Sequence, residues 1–298
     1  MEHAQNITTL NIARASVKKL QNLGKHYCND LTESDLLTFA INLVNYPETI
    51  TGLELLEEEL SNTYLLSLNT HLDAVLTNEI SPGRIVELAG IPGTGKTQIC
   101  FQLCVTAQLP TKIGGCAGQV IYLNTNKNFS VSQIRKITNN LLKHITTIAN
   151  DDLSLPTEEE ILKNIFVFNV NNVAEMFAAL LIFEEFLNNK KVKLVIIDNI
   201  TSPLNNIENQ MERKTVIHRF IDDLQSLSRK FHFAVIITNN YTTKILTDKS
   251  VYVSALGDSF FDRVNTRICL SRHPNNLFEA ELIKSTKKTP LKMAFALI

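Results

Sequence analysis

Short apolar runs alternate with amphipathic stretches along most of the chain after residue 80. Four of these runs predict buried strands, at residues 120–123, 165–168, 194–197 and 234–237. Between them, residues 172–187 and 211–230 have apolar side chains at helical spacing. Strands that alternate with helices favour right-handed βαβ crossovers. The pattern therefore predicts an α/β core built on a mostly parallel sheet.

The two ends of the chain have different patterns. Three late apolar runs lack long helices between them and predict an antiparallel extension of the sheet, at residues 267–270, 277–283 and 291–297. Residues 7–46 have the pattern of two or three short amphipathic helices, which Pro47 and Gly52 then interrupt. The predicted organisation is a small helical N-terminal domain at 1–50, a linker at 51–79 and the α/β core at 80–298.

Composition narrows the class of protein. Hydrophobic residues make up 44% and charged residues 20% of the 298 residues, which is typical of a soluble globular protein. No apolar run is long enough to span a membrane, and the start of the chain lacks the pattern of a signal peptide. The five cysteines form no Cys-x-x-Cys pair and no regular framework, which indicates free thiols. We therefore expect an intracellular protein with no membrane partner.

Net charge gives a weaker indication. A net charge of −1 excludes a chain that is basic throughout, as many nucleic-acid binders are. Lys and Arg nevertheless outnumber Asp and Glu between Thr242 and Ile298, which is compatible with one face that meets DNA. A solvated surface accounts for the same excess, so charge alone leaves both interpretations open.

The segment GIPGTGKT at residues 90–97 has the complete spacing of a P-loop. It follows the apolar run at 85–88 and opens a helical stretch, which is the strand–loop–helix context that this motif requires. Its glycines allow successive backbone N–H groups to surround phosphate oxygens, and the helix N-terminus adds a favourable dipole. The residues predicted to bind ATP are Gly90, Gly93, Thr94, Gly95, Lys96, Thr97 and Gln98.

Three side chains have more specific predicted roles. Lys96 places a positive charge at the β- and γ-phosphates and is the predicted catalytic lysine, and the Thr97 hydroxyl is a ligand for Mg²⁺. Asp198 ends the run at 194–197, and an acidic group at the carboxyl end of a parallel strand suits a Walker B role as a second Mg²⁺ partner. An Asp that only opens a turn is the alternative. The predicted ligands are thus ATP and Mg²⁺.

Further motifs resemble the eukaryotic RecA/RadA-like recombinase family. They are QICFQL at 98–103, GGCAG at 114–118, Thr238-Asn239 and ALGDS at 255–259. The resemblance covers roughly residues 54–298 and is strongest to the C-type paralogue of the Rad strand-exchange recombinase. It implies a RecA-like P-loop ATPase core and a nuclear role in homologous-recombination repair of double-strand breaks and in meiotic recombination. It also implies two kinds of partner. They are other recombinase paralogues in a hetero-oligomer, and single-stranded or branched DNA.

The same resemblance suggests where DNA and a neighbouring subunit would be met. It places DNA at two loops, residues 199–213 and 240–258, of which the first is poor in positive charge and the second mixes cations with rings. The DNA-binding candidates are Arg213, Tyr241, Lys244 and Lys249. A solvated loop without such a role is the alternative. For Lys284 the resemblance suggests a phosphate contact across a subunit interface, and an exposed basic turn is the alternative.

Two positions depart from the family pattern. The family has a glutamate that orients the attacking water in the turn after the strand at 120–123, and here that position is Asn126. The family also has a glutamine after the Thr-Asn pair, and here that position is Asn240. An amide can orient water but is not a useful general base. We therefore expect Asn126 to mark a degenerate catalytic position and ATP hydrolysis to be slow.

Three functions are compatible with these observations. The first is an ATP-gated mediator or assembly module on DNA with weak hydrolysis. The second is a catalytic DNA-dependent ATPase motor of the hexameric-helicase type, which shares the core fold. The third, a small-molecule kinase, is disfavoured because the P-loop begins as late as residue 90 and no Arg-rich lid follows it. Fold alone does not separate these functions.

Overall fold

The structure is a computed structural model, and it describes residues 51–61, 64–148, 153–246, 249–273 and 277–297. The chain divides into two units, Met1–Ser61 and Asn62–Ile298. Of the first unit, helix α1 (Gly52–Ser61) is described. The helical domain predicted at residues 1–50 lies outside the described residues. Within the described ranges, no helix is both long and apolar enough to cross a membrane.

The second unit begins with residues that we predicted to be part of a linker. Helix α2 (Thr70–Leu76) buries three apolar side chains and is capped by Asn69, whose Oδ1 accepts a hydrogen bond of 3.2 Å from Leu72 N. Leu65, just before it, is also buried. These side chains belong to the same core cluster as the central strands. Core packing in this unit thus begins at Leu65, while the domain boundaries themselves stay a prediction.

Strands and helices alternate through the rest of the second unit. In chain order they are β1 (Ile85–Gly90), α3 (Lys96–Thr106), a 3-10 turn (Thr111–Ile113), β2 (Gln119–Asn124), α4 (Val131–Ile148), α5 (Glu158–Lys163), β3 (Ile165–Asn169), α6 (Val173–Asn188), β4 (Val192–Asp198), a 3-10 turn (Ser202–Leu204), α7 (Gln210–Phe231), β5 (Ala234–Leu246), β6 (Lys249–Ser254), α8 (Gly257–Phe261), β7 (Thr266–Arg272), β8 (Phe278–Lys284) and β9 (Lys292–Phe295). The four predicted strands and both predicted core helices are all present.

A nine-stranded sheet organises these elements, in the order β3-β2-β4-β5-β1-β7-β8-β9, with β6 paired to β5. The neighbours from β3 to β7 pair in parallel, and β8 and β9 pair antiparallel. The predicted fold class is confirmed: an α/β, RecA-like core with a mostly parallel sheet and an antiparallel C-terminal extension.

One late strand differs from the expectation. We expected all three late apolar runs to be antiparallel, but β7, the first of them, pairs in parallel with β1. Helix α8 and the turn after it return the chain to the edge at which β1 begins. There the Asn265 backbone N–H donates to the Ile85 carbonyl at 3.0 Å, and the Asn265 side chain accepts from the Ile85 N–H at 2.8 Å. These two bonds align the start of β7 with the start of β1.

The loop expected at residues 240–258 is largely a β-hairpin. Strand β5 continues through Leu246 and pairs antiparallel with β6, with Lys244 opposite Val251 and Leu246 opposite Lys249. Tyrosine occurs in both segments of the hairpin, together with threonine and isoleucine in residues 241–246 and with valine in residues 249–254. Such β-branched and aromatic residues favour strands, which is why regular structure forms where we expected a loop.

Apolar clusters cover both faces of the sheet. Leu194 and Ile196 of β4 belong to the cluster under α2, α3 and α4, whereas the alternating Val195 and Ile197 belong to the cluster under α6 and α7. Because successive side chains of a strand point to opposite faces, a continuous apolar run is what a strand buried on both faces requires. The sheet edge that carries the functional residues is thus held by two separate cores.

A buried charge network ties three central strands together. Glu87, in the middle of β1, is fully buried and its carboxylate lies 2.6 Å from Nε of Arg267 on β7. The Asn239 side chain on β5 donates to the other carboxylate oxygen at 2.8 Å. Burial raises the pKa of Glu87 above its ordinary value, and the Arg267 charge opposes that rise. The charge of Arg267 therefore favours the ionised carboxylate, whereas burial favours the neutral acid.

Removing Arg267 should destabilise the protein strongly. In Arg267→Ala, Glu87 loses its charge partner while it stays buried, and breaking a buried pair in this way typically costs about 3–5 kcal/mol. Urea unfolding measures the free energy of unfolding. Lys163→Ala is the matched control, because its partner Glu159 is exposed and such pairs contribute about 0–1 kcal/mol. If Arg267→Ala and Lys163→Ala lose the same free energy of unfolding, the Glu87–Arg267 pair does not behave as a buried ion pair.

The stability that Arg267→Ala loses should depend on pH. Because burial raises the pKa of Glu87 above its value in the unfolded chain, its contribution to stability is fully present below the unfolded pKa and is lost as pH rises through the folded pKa. Removing Arg267 raises the folded pKa further. The difference in stability between Arg267→Ala and the wild type should therefore shrink as pH falls towards the ordinary pKa of glutamate. A difference that is constant with pH would argue against an ionised Glu87.

Candidate functional site

The P-loop lies between the central strand β1 and helix α3. Gly93 and Gly95 adopt positive φ angles of 83° and 85°, which residues other than glycine rarely adopt. At Gly90, the last residue of β1, an added Cβ would collide with the carbonyl oxygen of Leu270 on the neighbouring strand. The glycines of the motif thus allow the loop to turn tightly between β1 and α3.

Lys96 is folded into this loop. Its side chain is 7% exposed, and Nζ donates to the carbonyl oxygens of Gly90 at 2.8 Å and Ile91 at 2.9 Å. The Thr94 hydroxyl donates to the same Ile91 oxygen at 2.9 Å. Burial lowers the pKa of Lys96, and the negative charge of Asp198 opposes that change. An ammonium group held in this way places a compact positive charge at the centre of the loop, where it can attract an anion.

Asp198 is the meeting point of three hydroxyl groups. It ends β4 and is 2% exposed. Its Oδ2 accepts from the Thr97 hydroxyl and from the Tyr122 hydroxyl, both at 2.7 Å, and its Oδ1 accepts from the Thr238 hydroxyl at 2.6 Å. The three donors belong to α3, β2 and β5. The carboxylate is therefore fixed from three directions, next to the threonine that the P-loop motif assigns to Mg²⁺.

Burial and the Asp198 charge also act on Tyr122. They raise the pKa of its hydroxyl well above the ordinary value, with burial as the larger cause. The phenol therefore stays protonated and serves as a hydrogen-bond donor to the carboxylate. Sequence reasoning assigned no role to Tyr122, and it marked Thr238 only as part of a family motif. The available signal was a polar residue within or directly after an apolar strand run, since such strands end at the edge where Asp198 lies.

A cavity of about 370 Å³ opens above these groups. Five of the seven predicted ATP-binding residues line it, and Gly90 and Thr94 lie behind the loop surface. The described residues that line the cavity are Pro92, Gly93, Gly95, Lys96, Thr97, Gln98, Asn126, Asn128, Asp198, Asn199, Asn240, Arg272 and Phe278. Sequence reasoning did not assign Asn128, Asn199, Arg272 or Phe278, because no motif contains them.

Asn126 lies at this cavity, as its position after β2 suggests. It is half-buried, and its Oδ1 accepts from the Asn128 backbone N–H at 3.1 Å. The preceding Thr125 donates its hydroxyl to the Asn199 carbonyl at 2.6 Å, which joins this turn to the residue after Asp198. Among the described lining residues, Asp198 is the one carboxylate. The position expected to hold a general base is thus occupied by a neutral amide.

The DNA-binding candidates occupy different places. Arg213 lies in the first turn of α7, where its Nη2 donates to the Leu204 carbonyl at 2.9 Å. Tyr241 is half-buried on β5, and its hydroxyl is hydrogen-bonded to Cys269 Sγ. Lys244 and Lys249 lie on the two strands of the hairpin. The structure thus gives the first two residues partners within the chain, and their role at DNA stays a prediction.

Lys284 also has a partner within the chain. Its Nζ donates to the Phe261 carbonyl at 2.7 Å and lies 4.8 Å from the centre of the Phe261 ring. Burial lowers the pKa of Lys284. The guanidinium of Arg267 packs on the same ring at 4.6 Å, so Lys284 joins the edge of the Glu87 network. Its predicted role at a subunit interface is a separate matter and stays a prediction.

Comparison with known proteins agrees with this architecture. Residues 63–255 match the model of the Rad51 family. The chain is 32% identical to DNA repair protein RAD51 homolog 3 of Cricetulus griseus, over 82% of this chain and 69% of the relative. It is 28% identical to RAD51 homolog 3 of Dictyostelium discoideum, over 71% of this chain and 56% of the relative.

A prokaryotic relative extends the comparison. The DNA repair and recombination protein RadA of Aeropyrum pernix is 30% identical to the chain, over 63% of this chain and 56% of the relative. In the Dictyostelium and Aeropyrum comparisons, the match thus spans less than two thirds of the relative's length. The resemblance drawn from the motifs is confirmed. This chain belongs to the Rad51 family, together with the RAD51 paralogues.

Proposed function

We propose that this protein binds ATP and Mg²⁺ and acts as an ATP-gated assembly module in homologous-recombination repair of DNA, with weak hydrolysis of the bound nucleotide. The observation that carries the proposal is the P-loop cavity, in which Lys96 and the Thr97–Asp198 pair converge on one space above β1 and β4. A cavity of about 370 Å³ lies in the range of small-molecule sites, roughly 300–1,000 Å³.

The residues at the cavity fit a triphosphate. The glycine loop turns its backbone over the start of α3, where N–H groups and the helix dipole favour anions. Lys96 can exchange its contacts with the Gly90 and Ile91 carbonyls for phosphate oxygens, since both contacts are made within the loop itself. The site therefore offers both the backbone donors and the charge that polyphosphate binding requires.

Thr97 and Asp198 fit a magnesium ion that is shared with the nucleotide. Their oxygens are 2.7 Å apart, and the part of the chain that the structure describes has no cluster of three or more His, Cys, Asp or Glu side chains that would suit a metal held by protein alone. Mg²⁺ is usually held by one or two protein oxygens together with phosphates and water. Such an ion would neutralise charge on the phosphates. Tyr122 and Thr238 would keep Asp198 oriented towards it.

Slow hydrolysis follows from the side chains beside the terminal phosphate position. Asn126 can orient a water molecule but cannot take its proton, and the Asp198 carboxylate already accepts three hydrogen bonds and faces the proposed metal. Bound ATP would therefore persist. In this proposal the nucleotide is a structural ligand that holds an assembled state, and turnover is not its main task.

The biological setting of the proposal comes from the relatives. Those named above are DNA repair and recombination proteins, and DNA repair protein RAD51 homolog 2 of Homo sapiens is 26% identical over 71% of this chain. By analogy we propose a nuclear protein that assembles with other recombinase paralogues on single-stranded or branched DNA, including in meiotic recombination. We also keep the helical domain at 1–50 and the linker at 51–79 as parts of the proposal.

ATP binding should depend on Lys96. The Lys96→Ala variant removes the charge at the β- and γ-phosphates, so affinity for ATP should drop at least about tenfold, or about 1.4 kcal/mol. Titration with a fluorescent nucleotide measures this affinity. Lys112→Ala is the control, because this lysine is exposed on the turn at 111–113 and outside the cavity. If Lys96→Ala binds as the wild type does, the P-loop assignment is wrong.

Turnover should be slow and should rise when a carboxylate is restored. In Asn126→Glu, we expect the rate of ATP hydrolysis to increase by about 10²- to 10⁴-fold, the usual worth of a positioned base. ATP affinity should stay similar. Phosphate release with and without single-stranded DNA measures the rate. Asn128→Glu adds the same charge to the same cavity and should leave the rate low.

Two outcomes would contradict slow hydrolysis. One is a wild-type rate near the enzyme median of about 10 s⁻¹ that disappears in Lys96→Ala, which would favour the motor of the hexameric-helicase type. The other is an Asn126→Glu variant that binds ATP normally and turns over no faster than the wild type, which would show that the missing carboxylate does not limit the reaction.

DNA binding by the isolated chain should be weak and dependent on salt. The double variant Lys244→Ala with Lys249→Ala should reduce the slope of log affinity against log salt, by about 0.7 for each phosphate of single-stranded DNA that the variant no longer neutralises. Fluorescence anisotropy over a salt series measures this slope. The control is the double variant Lys136→Ala with Lys143→Ala. It removes the same charge from α4, where both lysines are exposed. Identical slopes in both double variants would exclude the hairpin as a DNA-binding element.

A further inference from the structure

One part of the nucleotide cavity has no role in the mechanism above. Arg272 and Phe278 line it, although both are far from the P-loop in sequence. Arg272 ends β7 and Phe278 begins β8. In the sheet these strands lie on one side of β1, whereas β5, β4 and β2, which lead to Asn240, Asp198 and Asn126, lie on the other side. The cavity therefore has two chemically different ends.

Contacts with the P-loop backbone hold the two side chains in place. Arg272 Nε donates to the Gly93 carbonyl at 3.1 Å. The Phe278 ring packs on Gly95, where an added Cβ would come within 3.3 Å of the ring, so the absence of a side chain at Gly95 makes room for it. The Arg272 guanidinium lies 5.9 Å from the centre of the Phe278 ring. Cation and ring thus form one unit against the loop, which we call the Arg272–Phe278 pair.

The direction of a bound triphosphate follows from the two ends. The metal pair Thr97 and Asp198, and the turn with Asn126, lie at the β4 and β2 end, which is where the terminal phosphate belongs in the proposed function. A linear triphosphate that starts there and follows the P-loop must direct its other end towards β7 and β8. Among the described lining residues, Phe278 is the one aromatic ring, and Arg272 is the one cation besides Lys96.

We propose that the Arg272–Phe278 pair binds the nucleoside end of ATP, with the Phe278 ring stacked on the base and the Arg272 guanidinium at the phosphate nearest the ribose. This inference rests on the proposed ATP binding and adds two residues to it. Aromatic rings stack on any base because every base has a π face. Guanidinium groups bind phosphate through several N–H donors. The pair should therefore distinguish a nucleotide from inorganic triphosphate while tolerating different bases.

Isothermal titration of the full chain with two ligands, MgATP and magnesium tripolyphosphate, tests the proposal. Phe278→Leu keeps an apolar side chain against Gly95 and removes the ring. It should weaken ATP binding about tenfold, as loss of one base–aromatic stack does, and leave tripolyphosphate binding unchanged. Phe278→Tyr should restore the affinity for ATP. Arg272→Gln should weaken both ligands by a similar factor, about tenfold, because both have a phosphate at this position.

A second arginine–phenylalanine pair in the chain provides matched controls. Arg219 lies over the ring of Phe177 at 5.7 Å, on α7 and α6, and neither residue lines the P-loop cavity. Arg219→Gln and Phe177→Leu make the same chemical changes there. Both should bind ATP and tripolyphosphate as the wild type does. Thermal unfolding of every variant verifies that it is folded.

The outcomes separate this inference from the proposed function. If Lys96→Ala loses both ligands while Phe278→Leu and Arg272→Gln bind them as the wild type does, the Arg272–Phe278 pair has no role and the P-loop site stands. If Phe278→Leu loses ATP and tripolyphosphate equally, the ring supports the loop and does not stack on the base. If Phe278→Leu does not fold, Arg272→Gln decides alone, and unchanged affinity for both ligands overturns the inference. If Lys96→Ala binds both ligands normally, the proposed function itself is wrong.

Discussion

The carboxylate of Asp198 is the group on which the geometry of the site depends. It lies at the carboxyl end of a strand that is buried on both faces, where an unpaired charge would be costly. Hydroxyl groups from Thr97, Tyr122 and Thr238 compensate by donating to both of its oxygens. Each donor belongs to a different element, so one buried charge sets the relative position of helix α3 and strands β2, β4 and β5. Contacts within the protein itself therefore hold the P-loop helix over the sheet.

A second buried charge has the corresponding role in the P-loop strand itself. Glu87 lies in the middle of β1 and joins Arg267 of β7 and Asn239 of β5. Its neighbours in the sheet are the strands that lead to Arg272 and to Asn240, and both of these residues line the cavity. The P-loop therefore lies between two strands that are fixed to β1 by polar contacts as well as by the hydrogen bonds of the sheet. A rigid base of this kind lets a glycine-rich loop keep one shape.

The sequence was sufficient to predict the fold class and the P-loop residues that line the cavity, because both depend on local signals. Apolar runs of four residues predicted the central strands, and the P-loop motif predicted the positions of Lys96 and Thr97 relative to a strand and a helix. Asp198 was found because it ends such a run. The hairpin formed by β5 and β6 was missed although its β-branched and aromatic residues favour strands. The parallel pairing of β7 was missed because the direction of a strand depends on where the preceding turn places the chain and not on the strand's own residues. Arg272 and Phe278 were missed for the same reason, because only the order of strands brings them to the P-loop.

In the proposed function, the side chains at the cavity serve the binding of a nucleotide more than its hydrolysis. The charged side chains among the described lining residues are Lys96, Arg272 and Asp198, which leaves an excess of one positive charge. Four asparagines, at 126, 128, 199 and 240, line the same cavity with neutral amides. A carboxylate at residue 126 would supply a base that the amide cannot replace. In the proposed site, the phosphates are held by the loop backbone, by Lys96 and by the metal pair Thr97 and Asp198, and not by residue 126. Binding and hydrolysis would therefore depend on different side chains of one cavity, so that an asparagine at residue 126 slows hydrolysis and leaves binding intact.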